Sequence, residues 1–169
     1  MATTYTLIAS STVGSGGAAN IEFTSIPATY TDLLLSLSIR TNRAGAVGSY
    51  FYLSFNGSTS NFSARFLGGD GSSASSGTQA RLGGIEANAS ATSSTFANNQ
   101  IYIPNYTSSN YKSYSTDGVV ENNATEGFDY LIAGLWSDTS AITSITITPE
   151  TSGSYVQYST AYLYGIKNS

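Results

Sequence analysis

The chain has 169 residues and a formal net charge of -4, from six Lys plus Arg against ten Asp plus Glu. Charged residues make up 9% of it, and it contains no histidine and no cysteine, whereas about a quarter of a soluble domain is usually charged. This composition excludes a disulfide framework and the usual zinc and copper ligands, and it disfavours nucleic-acid binding.

Length and core material predict a single folded domain over residues 1–169. Hydrophobic residues account for 40% of the sequence and aromatic residues for 12%, far more than in a disordered polar tract. The segment Met1–Ser10 lacks the basic start of a secretory signal, and no segment approaches the roughly 20 apolar residues of a spanning helix. We expect a soluble protein, made in a cytoplasm, that does not enter a membrane.

The dominant period of the sequence is two, which is typical of β-strands with one buried face. It is clearest in Asp32–Arg40, where Leu33, Leu35, Leu37 and Ile39 alternate with polar residues. The other strong predictions are Asn20–Ile26, Tyr50–Phe55, Gln100–Ile103, Tyr130–Trp136 and Ile142–Thr148. The weaker predictions are Tyr5–Ser10, Ala64–Leu67, Tyr111–Ser115, Val119–Glu121 and Thr160–Ile166.

Turn signals separate these strands. Asn56-Gly57 predicts a hairpin turn after the third strand, and Pro104 and Pro149 are expected to end strands. Tyr130–Trp136 is apolar on both faces, which indicates a central strand covered on both sides.

Two biased stretches, Gly68–Gly77 and Ala87–Asn99, are predicted to be loops. Such loops either connect strands flexibly or present a contact surface. About ten short strands without helical patterns predict an all-β fold, an antiparallel β-sandwich of jelly-roll type.

Candidate chemistry is sparse. Without histidine or cysteine, nucleophilic catalysis in its usual form is excluded. The acidic segment with Asp117, Glu121, Glu126 and Asp129 is the only region that suggests calcium, but it lacks the spacing of a calcium loop. A glycosidase needs two carboxylates close together, and no pair stands out. We therefore predict no catalytic residue, no cofactor-binding residue and no metal ligand.

The 13 tyrosines are the most informative polar feature. Tyrosine combines apolar area with a polar tip, which suits protein interfaces and sugar platforms, although many tyrosines lie at the margin of a core. The candidates are Tyr102, Tyr106, Tyr111, Tyr114, Tyr155, Tyr158, Tyr162 and Tyr164.

Four segments of the chain resemble small β-sandwich structural proteins of tailed bacteriophages, particularly cyanobacterial and other marine phages. These segments are TYTLIASSTV at the start, IEFTSIPATYTDLLLSLSIRT over Ile21–Thr41, YLSFNG over Tyr52–Gly57 and STAYLYGIK over Ser159–Lys167. The resemblance spans nearly the full length and consists of strand edges and turns rather than a catalytic signature. It implies a jelly-roll-like fold and a role as a virion component.

Within that class, the short chain and the absence of coiled-coil or repeat segments predict a module attached to something larger. The first expectation is a capsid decoration, or cement, protein that binds the major capsid protein on the outside of the head, self-associates, with a trimer favoured, and binds no nucleic acid. The alternative is a receptor-binding or carbohydrate-binding module at a tail or fibre tip. An enzyme such as a depolymerase is a distant third.

Overall fold

The computed structural model describes residues 4–123, 126–150 and 153–167. These residues form twelve β-strands and no helix, so no helix there is able to span a membrane. The strands are β1 (Tyr5–Thr12), β2 (Ile21–Phe23), β3 (Asp32–Ile39), β4 (Gly48–Phe55), β5 (Phe62–Gly69), β6 (Ala74–Thr78), β7 (Leu82–Ala87), β8 (Ala97–Ile103), β9 (Lys112–Glu121), β10 (Gly127–Trp136), β11 (Ile145–Pro149) and β12 (Thr160–Ile166).

The strands form two sheets that pack together as a β-sandwich. The large sheet has eight strands in the order β1-β12-β3-β8-β9-β10-β5-β6, and the small sheet has four in the order β2-β11-β4-β7. Every pairing of these strands is antiparallel. The prediction of an all-β antiparallel sandwich is confirmed, whereas this division into eight and four strands does not confirm a jelly roll.

The core lies between the small sheet and the inner face of the large sheet. The alternation predicted for β3 is confirmed, because its four odd-numbered apolar side chains, from Leu33 to Ile39, are all buried. The facing strand β4 contributes Phe51, Leu53 and Phe55, which are also fully buried. Burial of this apolar area is the main favourable contribution to folding.

Strand β7 joins the two sheets because its free edge bonds to side chains of the large sheet. The hydroxyls of Tyr114 and Thr116 each donate to a backbone carbonyl of β7 at 2.8 Å. Asn99 accepts from the N–H of Ile85 at 3.0 Å and donates to the carbonyl of Ile85 at 2.8 Å. Buried backbone groups need such partners, so these three side chains satisfy the edge that β7 would otherwise leave open.

The sequence pattern did not predict β7. Strand β7 contains Gly83 and Gly84, and glycine is depleted in strands. A Cβ at Gly83 would lie 2.4 Å from the ring of Phe51, and a Cβ at Gly84 would lie 2.6 Å from it. The glycines are therefore required by the packing of a core aromatic ring against the backbone.

The prediction of a loop over Gly68–Gly77 is wrong at both ends, because β5 reaches Gly69 and β6 begins at Ala74. A Cβ at Gly68 would meet the ring of Tyr130, and one at Gly77 would meet the ring of Phe66. The composition indicated flexibility, whereas these two glycines are strand residues that make room for aromatic rings. The loop predicted over Ala87–Asn99 is shorter than expected, since β8 already begins at Ala97.

Two further expectations are corrected. Asn56 and Gly57 form the predicted tight turn, both with positive φ, but this turn leads from β4 in the small sheet to β5 in the large sheet and closes no hairpin between them. Tyr130–Trp136 lies inside the large sheet, but only one face is covered: Trp136 is buried, whereas Leu131 is 60% exposed.

Candidate functional site

The outer face of the large sheet, which points away from the small sheet, is an open surface formed by eight strands. Its composition follows from the strand register. One row across it, from β12 to β5, consists of Tyr162, Ser36, Gln100, Asp117, Leu131 and Leu67. The next row, from β12 to β5, consists of Tyr164, Leu34, Tyr102, Ser115, Ala133 and Arg65.

Aromatic side chains gather at one end of this outer face. The rings of Tyr162 and Tyr164 stack with their centroids 6.5 Å apart. Tyr102 donates its hydroxyl to Asp32 at 2.8 Å, and this hydrogen bond raises the pKa of Tyr102, to which Tyr5 also contributes. We call Tyr5, Tyr102, Tyr162 and Tyr164 the tyrosine surface.

The opposite end of the outer face is apolar. Leu67 on β5 pairs directly with Leu131 on β10, and the two side chains are 57% and 60% exposed. A shallow groove of about 380 Å³ runs beside them, bordered also by Ala133 and Ser115. Leu67, Leu131 and Ala133 form what we call the leucine surface, a small apolar patch exposed to solvent.

The eight candidate tyrosines separate into three groups. Tyr102, Tyr162 and Tyr164 lie on the outer face, and Tyr111 and Tyr158 are exposed outside the strands. Tyr106, Tyr114 and Tyr155 are buried in the core. Five of the eight candidates therefore lie where a partner could reach them, and three are core residues.

A buried polar cluster lies between the sheets, and no pattern in the sequence predicted it. Glu86 on β7 is fully buried, with its Oε1 3.0 Å from the hydroxyl of Ser49. That hydroxyl is also 3.1 Å from Oδ1 of Asn88, which accepts a hydrogen bond from Thr41 at 2.7 Å. Burial raises the pKa of Glu86 to about 8; the hydrogen bond from Ser49 opposes this rise, and the charge of Glu150 adds to it.

Proton counting in this cluster agrees with a protonated Glu86. Ser49 has one hydroxyl proton and two neighbouring acceptor oxygens, so it satisfies only one of them. If Glu86 carries a proton, it donates to Ser49 and leaves the Ser49 proton for Asn88. Glu86 Oε2 and the hydroxyl of Tyr155 are both buried without a hydrogen-bond partner among the described residues; burial, with Glu86 nearby, holds the pKa of Tyr155 well above its usual value.

The structure places two carboxyl groups near each other, as glycosidase chemistry would require, but not in a usable arrangement. Glu150 lies close enough to raise the pKa of Glu86, and it forms an ion pair with Arg43 at 3.3 Å. Glu86 itself is 0% exposed. A carboxyl group that no substrate can reach is a structural residue here, not half of a catalytic pair.

The four acids considered for calcium do not converge. Asp117 and Asp129 lie on the outer face, whereas Glu121 and Glu126 border a depression beside Asp70. Backbone N–H groups of Ser73 and Ser72 donate to Asp70, and they hold the pKa of Asp70 well below its usual range. Over residues 4–123, 126–150 and 153–167, no three His, Cys, Asp or Glu side chains are grouped closely enough to hold a metal ion.

The outer face of the large sheet is thus exposed, whereas Glu86 in the interior is not accessible to solvent. Comparison of the chain with protein-family models, with curated proteins and with solved structures finds no match.

Proposed function

We propose that this chain is a structural protein of a tailed-bacteriophage virion that decorates the capsid by binding the major capsid protein on the outside of the head. The observation that supports this proposal is the outer face of the large sheet, which is broad, open and sparse in charge. The resemblance of the strand edges to phage structural proteins supplies the virion context.

The size of the outer face suits a protein partner. Eight strands spaced by about 4.8 Å, each about eight residues long at roughly 3.4 Å per residue, give a face of about 900 Å². A stable protein interface buries about 800 Å² on each partner. The face is therefore large enough for one complete interface, or for parts of two capsid subunits.

The chemistry of the outer face also suits protein contact. Charged side chains are few on the two rows described, namely Arg65 and Asp117. The tyrosine surface and the leucine surface supply the aromatic and apolar anchors that dominate interface energetics, and Gln100 and Ser36 supply hydrogen-bonding groups between them. A partner with a similarly neutral surface would match this face.

Binding of this kind reinforces a shell without covalent chemistry. Each copy contacts two or more capsid subunits, and many weak contacts on one lattice add up to firm attachment. In this proposal the chain is made in the host cytoplasm, assembles as a trimer at local threefold positions, has no enzymatic activity, and binds neither nucleic acid nor membrane.

The test is binding to capsids assembled without the decoration protein, measured by co-sedimentation and followed by electron microscopy of the particle. Leu131→Lys should abolish binding while leaving the unfolding midpoint unchanged, because Leu131 is solvent-exposed. Ala44→Lys adds the same charge at an exposed loop residue outside the sheets, and it should bind normally. A few copies confined to the tail, or equal binding by both variants, would refute the proposal.

A second candidate function is a carbohydrate-binding module at a tail or fibre tip. The observation that favours it is the stacked pair Tyr162 and Tyr164, which offers aromatic rings beside the hydrogen-bonding side chains of Ser36 and Gln100. A glycan array separates the two functions: strong binding to host-surface polysaccharide, lost in Tyr162→Ala, together with no capsid binding, would favour the module.

A further inference from the structure

A cleft of about 280 Å³ opens between the start of β4 and the inner side of β10. Tyr50, Phe128 and Tyr130 form its apolar walls, and Arg43, Glu150 and Ser49 supply polar groups. Phe128 and Tyr130 point to the inner side of β10, so the cleft is separate from the outer face on which capsid binding is proposed.

The aromatic walls are held in place by ring packing. The rings of Tyr50 and Tyr130 meet edge to face with centroids 5.7 Å apart, and both contact Phe66, at 5.8 Å and 5.1 Å. Burial raises the pKa of Tyr50, and the neighbouring Tyr130 adds to that rise, so the hydroxyl of Tyr50 stays uncharged. The walls are therefore preformed and neutral, as small-molecule sites usually are.

The polar side of the cleft is an ion pair with hydrogen-bonding capacity to spare. Arg43 and Glu150 are 3.3 Å apart and are 31% and 23% exposed, and the hydroxyl of Tyr52 reaches Glu150 at 3.4 Å. Both bonds are longer than the 2.7–2.9 Å or so that is usual for charge-assisted hydrogen bonds. Guanidinium has five N–H donors and a carboxylate about four acceptor sites, and most of those on Arg43 and Glu150 have no partner among the described residues.

We propose that this cleft binds a single neutral sugar residue. The C–H face of a sugar ring packs against aromatic walls, and adjacent hydroxyls both donate to a carboxylate and accept from a guanidinium. A cation would be repelled by the positive charge of Arg43, and an anion would be repelled by the negative charge of Glu150, so a ligand with net charge is disfavoured. The cleft volume of about 280 Å³ lies just below the range of about 300–1,000 Å³ for ligand pockets, which fits one sugar ring rather than a chain of them.

The test is an NMR titration of the isotopically labelled protein with the methyl glycosides of glucose, galactose, mannose and N-acetylglucosamine, one at a time. At least one glycoside should shift the ring signals of Tyr50, Phe128 and Tyr130 saturably, with a dissociation constant in the millimolar range. Choline and glucuronate, tested in parallel, should produce no saturable shift.

Two variants localise the binding. Ala46 lines the cleft and is partly exposed, so Ala46→Phe should fill the space and abolish the shifts. Ala44→Phe adds the same ring at an exposed position of the same loop outside the cleft, and it should bind as the unmodified chain does. No saturable shift with any of the four glycosides, a response only to choline or glucuronate, or binding retained in Ala46→Phe would overturn the proposal. Capsid binding is proposed for the outer face of the large sheet, whereas the cleft lies on its inner side. The two experiments are therefore independent, and the failure of one proposal leaves the other standing.

Discussion

Glu86 should make the stability of this protein fall as the pH rises through the neutral range. In the folded protein its pKa is raised to about 8, whereas the ordinary value of 4.5 applies to the unfolded chain. Between these two values the folded state keeps a proton that the unfolded state has released. Because the folded state then binds more protons, raising the pH favours unfolding.

The magnitude follows from the two pKa values. Where only the folded state holds the proton, each pH unit changes the free energy of unfolding by about 1.4 kcal/mol. From about pH 6 to pH 8, with the slope fading near the folded pKa, the loss is about 2 kcal/mol. That is a large share of the 5–15 kcal/mol or so that holds a typical domain folded.

The assay is urea unfolding across this pH range, monitored by the fluorescence of Trp136, the single tryptophan of the chain, which is buried in the core. The chain has no histidine and no cysteine, so no other side chain has an ordinary pKa in the window. Glu86→Gln keeps the shape of the side chain, and its amide N–H group is still able to donate to Ser49, but it has no titratable proton. The stability of this variant should therefore be flat across the window. The reasoning is refuted if the unmodified chain is equally stable at both ends of the window, or if Glu86→Gln shows the same slope.

Two further predictions concern the packing of the sheets and use the same urea assay. Asn99→Ala removes both hydrogen bonds to β7 and should cost about 2–3 kcal/mol, whereas Asn98→Ala, on the exposed face of the same strand, should be nearly neutral; equal effects would contradict the role assigned to Asn99. Gly134→Ala would place a Cβ 2.0 Å from the ring of Tyr114 and should cost about 1–3 kcal/mol. Gly14→Ala, which has open space around its Cβ, should cost less than about 0.5 kcal/mol. Equal costs for the two substitutions would contradict the role of crowding at Gly134.

The parts of this fold that were predictable are those in which a local pattern decides the outcome. Alternation in Asp32–Arg40 assigned four apolar side chains to the buried face, because successive residues in a strand point to opposite sides. The pair Asn56-Gly57 predicted a tight turn, because both residues tolerate positive φ. Neither pattern says which strand is the neighbour, so the expectation of a hairpin was wrong while the turn itself was right.

The candidate binding surface was predictable only in part. Period two placed Tyr102, Tyr162 and Tyr164 on a common side of their strands, but whether that side is covered depends on where the small sheet packs. Leu131 shows the limit of the pattern. Its strand is apolar on both faces, which indicated full burial, but the small sheet covers only the inner side of the large sheet, and the outer side, where Leu131 lies, faces solvent. The leucine surface exists for that reason.

From the sequence alone came the class of fold, the alternating faces of the strands, and the exclusion of chemistry that needs histidine or cysteine. All three depend on residue type and on spacing along a few neighbouring positions. Only the tertiary structure decided that β6 and β7 are strands, that Glu86 is buried beside Ser49 with a raised pKa, and that Arg43 and Glu150 meet at an aromatic cleft. The physical reason is that the solvation and the partners of a residue are set by segments distant in the chain. The ring of Phe51 leaves no room for side chains at Gly83 and Gly84. The packing of the two sheets, rather than the residues next to Glu86 in the sequence, excludes water from its carboxyl group.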